Sequence, residues 1–442
     1  MIDERSLMGA LLGDDRRIVA MPRPPVLTTG PGEDRRPDGR CWARLCAVRI
    51  VLVVPGGVDP PGGSRVIPFL VDLIERLSAD HQVRVIAVGH DPQPGSWSLF
   101  GAEVVNVPVG RHDKSDIVRV VREVSALVGS GPRSSRPDIV HGWWATLPGL
   151  AATLAARRHR LPSVLSAAGG ELAWLPDIGY GGGGARGTRA TALTSVRLAT
   201  AVTVATEWMR HHVVSSGGRV DEVVPLGADR RRWSTTLEPS ISVEPHRLVH
   251  IGSLNRVKDQ SMLLRAIDIA RRHEPRLHLD LLGVDTLGGE HSRLIDRLGL
   301  DAHVRLHGLV PHERLPALVR GAGMHVVSSR HEAGPVAVLE AAMCGVPTVG
   351  TNVGHVADLA GLAMPAAVAV DRDADRDADR DVDRDVDGGA SGLATAIVEL
   401  VGDEPTRTAL AERAQRWALI HDADHTARSF EAIYRRLAAV RP

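Results

Sequence analysis

Apolar positions fall into two recurring patterns along most of the chain. Arg49–Val54 (RIVLVV) is an unbroken apolar run, the signature of a strand buried on both faces of a parallel sheet. After a Gly/Pro-rich loop at Pro55–Ser64, residues Val66, Phe69, Leu70, Leu73, Ile74 and Leu77 recur at helical spacing, with Asp72, Glu75 and Arg76 on the opposite, solvent-facing side. Val83–Val88 predicts the next strand, and Asp138–His141, Ser163–Ser166, Ala201–Ala205 and Glu222–Pro225 continue the series. A second series follows, with strands predicted at Leu248–Gly252, Leu277–Gly283, Val304–Leu306, Met324–Ser328 and Pro347–Thr351. Leu263, Ala266, Ile267 and Ala270 mark a helix between the first two of these, and helical patterns close the chain at 393–400, 409–418 and 426–437. Strand alternating with helix predicts α/β domains with parallel sheets.

The breaks in the pattern predict the domain organisation. Residues 1–46 show neither period and are rich in Arg, Asp, Pro and Gly, which predicts a disordered N-terminal extension. A Rossmann-like domain is expected over 47–230, a linker over 231–246, and a second Rossmann-like domain over 247–425. A helix at 426–442 is expected to cross back to the first domain. Within the second domain, 371–389 is an acidic low-complexity insertion; Asp371–Asp387 repeats every four residues, with nine Asp and four Arg. Its D-x-D triplets follow from the repeat, so they are not read as a metal site. Length agrees with two domains: 442 residues exceed what one core supports, which is about 250–300. Doubly wound sheets bind ligands beyond the C-terminal ends of their strands. The cleft between the domains is therefore the expected site.

Composition narrows the function. Lys+Arg and Asp+Glu are both 53, which argues against a general polyanion binder and so against nucleic acid. No apolar run reaches the ~18–20 residues of a membrane span. Three cysteines without zinc-like spacing exclude a disulfide framework. The chain reads as cytoplasmic. Only Lys114 and Lys258 are lysines, which singles out a Lys at any chemically sensitive position.

The stretch with most chemistry is Ser328–Gly345, SSRHEAGPVAVLEAAMCG. Pro335 suits the first position of a helix that Val336–Met343 continues, and Gly345 suits its C-terminal cap. Glu332 then lies in the loop before the helix and Glu340 inside it. The backbone around Ala333, Gly334, Pro335 and Val336 carries the positive end of the helix dipole, which favours an anion. This Glu332-x7-Glu340 pattern strongly resembles the E-x7-E signature of the family-4 retaining glycosyltransferases, which have the GT-B fold. Val223–Trp233 (VVPLGADRRRW), His250–Gln260 (HIGSLNRVKDQ), Arg305–Val310 (RLHGLV) and Val353–His355 resemble other segments of that family.

The resemblance implies a GT-B fold and a retaining, metal-independent transfer of a hexose from a nucleoside diphosphate sugar to an alcohol. It implies that Glu332 contacts the donor sugar, Glu340 the ribose and Lys258 the diphosphate. Gly62 and Gly63 would approach the diphosphate from the first domain, and His307, Leu309 and Val310 would lie near the base. Ser253 stands where the family usually has an Arg, with Arg256 as a local substitute. Ala168 stands where it often has a His. His141 and Trp143 follow a predicted strand end and, with Glu171, are candidates for acceptor binding; core packing is the alternative for the first two. No cofactor is expected beyond the donor. The acceptor is expected to be a sugar, a lipid-linked sugar or a small molecule, with peripheral contact at the inner membrane face if it is a lipid. The competing readings are a catalytically silent GT-B binding or regulatory protein, and a phosphorylase or epimerase of the same fold.

Overall fold

The apolar runs assemble into two parallel sheets, each with alternate residues buried on its two faces. In the first, Leu52, Val54 and Val85 enter one hydrophobic cluster while Val51, Val53 and Ile86 enter the other. In the second, Leu248 and Val326 face one cluster, Val249 and Val327 the opposite one. Burial on both faces is why these strands read as continuous apolar runs. The structure is a computed structural model, and it describes residues 47–110, 114–131, 136–234, 242–372 and 388–440. The N-terminal extension and most of the acidic repeat expected from the sequence, with part of the expected linker, lie outside the described residues.

The first sheet contains β1 (Arg49–Val54), β2 (Gln82–Val88), β3 (Gly95–Leu99), β4 (Ala102–Val107), β5 (Ile139–Trp143), β6 (Ser163–Ser166), β7 (Ala201–Val204) and β8 (Glu222–Val223). Their order is β3-β4-β2-β1-β5-β6-β7-β8, parallel throughout except for the antiparallel β3–β4 pair. The second sheet contains β9 (Glu244–Ile251), β10 (His278–Leu282), β11 (Val304–Gly308), β12 (Ala322–Val327), β13 (Thr348–Thr351) and β14 (Ala367–Val370), ordered β11-β10-β9-β12-β13-β14 and all parallel. This is the doubly wound order, and strand order reverses between β9 and β12. In the first sheet the reversal lies between β1 and β5. The β3–β4 pair and β14 are absent from the sequence expectation. Gly95–Leu99 (GSWSL) is an edge strand without an apolar run, so it carries no buried-strand signal.

Two crossings join the domains, and they run side by side. Ala423 N–H donates to Ala228 C=O at 3.0 Å, and Thr426 Oγ accepts from Gly227 N–H at 2.9 Å while donating to Pro225 C=O at 2.7 Å. A Cβ on Gly227 would lie 2.1 Å from His421 O, so glycine is required for this approach. The helix Glu404–Ile420 packs on the helix Val336–Met343, and the helix Ala423–Ala439 returns to pack on the first-domain helix Pro68–Asp80. Asp72 on that helix is buried rather than solvent-facing as its pattern predicts, because the segment after Ala228 covers it and brings Arg232 to 3.6 Å. Burial pushes its carboxyl up to about 6. Arg372 and Gly389 lie against each other: a Cβ on Gly389 would lie 3.3 Å from Arg372 Cα.

Candidate functional site

The reversal in the second sheet places two loops next to each other, the one after β9 and the one after β12. Lys258, at the end of the first loop, reaches Glu332 in the second, with Nζ to Oε1 at 2.5 Å. Ser329 Oγ donates to the same carboxylate oxygen at 2.7 Å, and Ser328 Oγ donates to Lys258 C=O at 2.7 Å. Beneath the loop, His250 on β9 donates from Nδ1 to Val326 C=O at 2.9 Å and accepts at Nε2 from Gln260 at 3.0 Å. Burial lowers this histidine to about 4, so it is neutral and has one proton to place. Gln260 also donates to Ser253 C=O and accepts from Asn255 N–H, which sets the loop's shape from below. Arg256 pairs with Glu290 at 3.2 Å, with its side chain more than half exposed.

The helix Val336–Met343 begins one residue later than the sequence suggests, with Pro335 as its N-cap. It ends as expected, with Gly345 at φ +73° and Val346 N–H on Ala341 C=O. Glu340 projects from the second turn and is only 4% exposed. Its Oε1 accepts from His312 Nε2 at 2.7 Å, and His312 Nδ1 in turn accepts from Arg232 at 3.2 Å. Gly334 faces the first domain: a Cβ there would lie 2.5 Å from that of Ala205. Nearby, His307 pairs with Asp280 at 2.7 Å, Val310 packs on the second-domain core and Leu309 is exposed.

On the first-domain side, Gly62 has φ +88° and open space around it. A Cβ on Gly63 would meet Asp59, whose carboxylate binds Arg65 N–H and His90. The three acceptor candidates do not face the cleft. His141 and Trp143 are fully buried, because β5 is a central strand and the helix Ala423–Ala439 covers it. His141 Nδ1 lies 2.6 Å from Tyr434 OH and Nε2 lies 2.9 Å from Ser166 Oγ. Glu171 is buried and accepts the backbone N–H groups of Ala145, Ala168 and Gly169 at 2.9, 3.3 and 2.8 Å. Its two oxygens thus fix the loop after β6.

Contacts between the domains, unread in the sequence, pin the Glu332 loop from both sides. Thr206 Oγ donates to Ala333 C=O at 2.8 Å, and Arg330 pairs with Asp177. Asp358 accepts from the N–H groups of Glu207 and Trp208 at 2.8 and 3.0 Å. His331 sits among Tyr180, Trp208 and His212, and burial lowers it to about 4. The sole signal for these in the sequence was the adjacency of His331 to Glu332. Among the described residues, one set of carboxylates is close enough to share a cation: Asp72, Glu75 and Asp229. Arg76, Arg231 and Arg232 thread it and neutralise its oxygens, so it fits an ion-pair network and not a metal.

Two family models match the two halves in turn: "Glycosyl transferase 4-like domain" over residues 62–227 and "Glycosyl transferases group 1" over residues 237–381. Each half thus matches a glycosyltransferase domain model, and the fold of the chain is GT-B. For several solved structures the alignment extends over nearly the whole of the neighbour. Sucrose-phosphate synthase from Thermosynechococcus elongatus aligns with a TM-score of 0.70 at 17% identity, covering 88% of this chain and 99% of that one. Anabaena Alr3699/HepE, solved in complex with UDP and glucose, aligns at 0.61 and 17% identity over 87% and 99%. Among curated proteins, a D-inositol 3-phosphate glycosyltransferase of Corynebacterium jeikeium is 29% identical over 233 residues, 51% of each chain. Mannosylfructose-phosphate synthase of Agrobacterium fabrum is 32% identical over 144 residues, 29% of this chain and 32% of its own. This GT-B chain thus spans about half the length of the first curated relatives it matches. Among its described residues no helix is long and apolar enough to cross a membrane.

Proposed function

We propose that this GT-B protein transfers a hexose from a nucleoside diphosphate sugar to a hydroxyl acceptor, with retention of configuration and without a metal. The observation that carries the reading is the Lys258–Glu332 pair at the strand reversal of the second sheet, with Glu340 on the helix that follows. Charge is the main demand of the reaction, because a nucleoside diphosphate leaves. Lys258 meets that demand by preorganised electrostatics, assisted by the backbone at the start of the helix Val336–Met343. Glu332 pairs with Lys258; in this reading a diphosphate binds the ammonium and the carboxylate serves a sugar hydroxyl. Glu340 then serves the ribose. The departing phosphate assists the incoming hydroxyl on the same face, the front-face route that the family resemblance implies.

The names of the relatives support the substrate class. They include glycosyltransferases for a cyclitol phosphate and synthases of sugar phosphates, and one neighbour was solved with UDP and glucose. Ala168 and Ser253, where the family often has His and usually Arg, favour a second reading: a GT-B protein that binds nucleotide sugars without turning them over.

Thermal shift against a panel of UDP-, GDP- and ADP-sugars separates these readings. A ligand at 100 times its Kd stabilises the fold by about 2.7 kcal/mol. Binding with slow hydrolysis or transfer of the cognate donor, unaffected by chelator and giving the retained anomer by NMR, is the expected result. Binding without turnover selects the second reading, and absence of binding across the panel refutes both.

A further inference from the structure

Glu340 is not held by its own helix. Its Oε1 accepts from His312 Nε2 at 2.7 Å, and His312 lies 28 positions earlier, in the turn after β11. The tautomer follows from the other ring nitrogen. Nδ1 faces the Arg232 guanidinium at 3.2 Å, which can only donate, so Nδ1 is the acceptor and the proton is on Nε2. Trp233, fully buried, lies against the ring with centroids 5.4 Å apart and fixes its plane. Arg232 itself extends to Asp72 on the first-domain helix Pro68–Asp80. A buried carboxylate in the second domain is therefore aimed by a histidine whose own orientation is set by the interdomain segment.

We propose that His312 is a positioning residue for nucleoside binding: it fixes the Glu340 carboxylate through Oε1 so that Oε2 meets the ribose hydroxyls. Oε2 makes no hydrogen bond among the described residues. The proposal rests on the donor-binding reading above and names the group that sets its ribose contact. A carboxylate held at one oxygen by a neutral N–H keeps its charge and loses rotational freedom, so less ordering remains for the ligand to impose. Because a ribose contact is the same in ground and transition states, its loss raises KM and leaves kcat unchanged.

Two polar substitutions separate the ring's two contacts. In His312→Asn the side-chain oxygen stands near the Nδ1 position and can still accept from Arg232, but nothing reaches Glu340. In His312→Gln the amide nitrogen stands near the Nε2 position and can still donate to Glu340. Calorimetric titration with UDP, GDP and ADP is expected to show the nucleotide preferred by the wild type binding about tenfold more weakly to H312N. H312Q should stay within about twofold of wild type, and H312N should add no further loss in an E340Q background. H312N binding like wild type, H312N and H312Q losing affinity equally, or a loss that persists in full beside E340Q would each overturn the proposal. A wild type that binds none of the three nucleotides overturns the donor-binding reading itself. Binding that E340Q weakens and H312N does not leaves that reading standing and removes the role of His312.

Discussion

Lys258 and Glu332 form an ion pair with side chains 25% and 13% exposed. A pair this sheltered is screened less than a surface ion pair, so opening it needs a ligand anion that replaces the carboxylate. The chain uses Arg at 51 of its 53 basic positions, so Arg at 258 would be the default for a plain surface cation. Here the ammonium shares one carboxylate oxygen of Glu332 with the Ser329 hydroxyl. A planar guanidinium needs more room than an ammonium and approaches oxygen differently. Lys258→Arg is expected to lower kcat/KM for the cognate donor about tenfold, or roughly 1.4 kcal/mol, with Tm within a degree or two of wild type. A variant with wild-type kcat/KM would make Lys258 an ordinary cation. Lys258, Glu332 and Glu340 were all legible as candidates in the sequence, because motif spacing is local. Their partners were not: His312 and Ser329 carry no pattern that marks them.

The C-terminal helix shows how an element acquires its place. Its stripe of Ala427, Phe430, Ile433 and Tyr434 is apolar enough to predict burial, and these residues join the first-domain core. Polar contacts then select where it docks. Tyr434 OH meets His141, His141 meets Ser166, and Ser166 meets Thr203 at 2.6 Å, a buried chain across β5, β6 and β7. Tyr434→Phe keeps the ring and strands His141 Nδ1 in the core. An unsatisfied buried polar group costs about 1–3 kcal/mol, so urea unfolding should show a lower midpoint with an unchanged slope, and nucleotide affinity should be unaltered. Full stability in the variant would mean that the chain of hydroxyls is not needed for docking. The same packing accounts for the failure of His141 and Trp143 as acceptor residues. A strand end looks like a site until a helix nearly 300 positions later covers it.

Among the described residues, burial lowers eight histidines: His141, His325 and His355 to about 3, His250 and His331 to about 4, and His212, His291 and His425 in the same direction. The unfolded chain titrates these near 6.5, so below that pH it binds more protons than the fold, and stability falls as pH falls. Each of the five lowered to about 3 or 4 contributes about 1.4 kcal/mol per pH unit once the solvent is well below 6.5. Asp72, Glu171 and Asp358 act in the opposite sense, since burial raises their carboxyls and their cost diminishes in acid. The histidines are more numerous and their window opens first on acidification. Tm is expected to drop steeply between pH 6.5 and 5, with net proton uptake on unfolding measurable by calorimetry in buffers of different ionisation enthalpy. A flat Tm over that range would contradict the burial of these rings. Taken alone, the sequence determined the α/β alternation, the bounds of β1 and β6, and the loop-to-helix setting of Glu332 and Glu340. Those features follow from the periods of 2 and 3.6 and from Pro and Gly chemistry, which act within a few residues. The tertiary structure decided what no local period encodes: the edge position of β3, the burial of Asp72, Glu171 and His141, the closure of Ala205 on Gly334, and the pairing of Glu340 with His312. Each depends on which distant segments the two chain crossings bring together, and hydrophobic patterning specifies that a face is buried without naming what buries it.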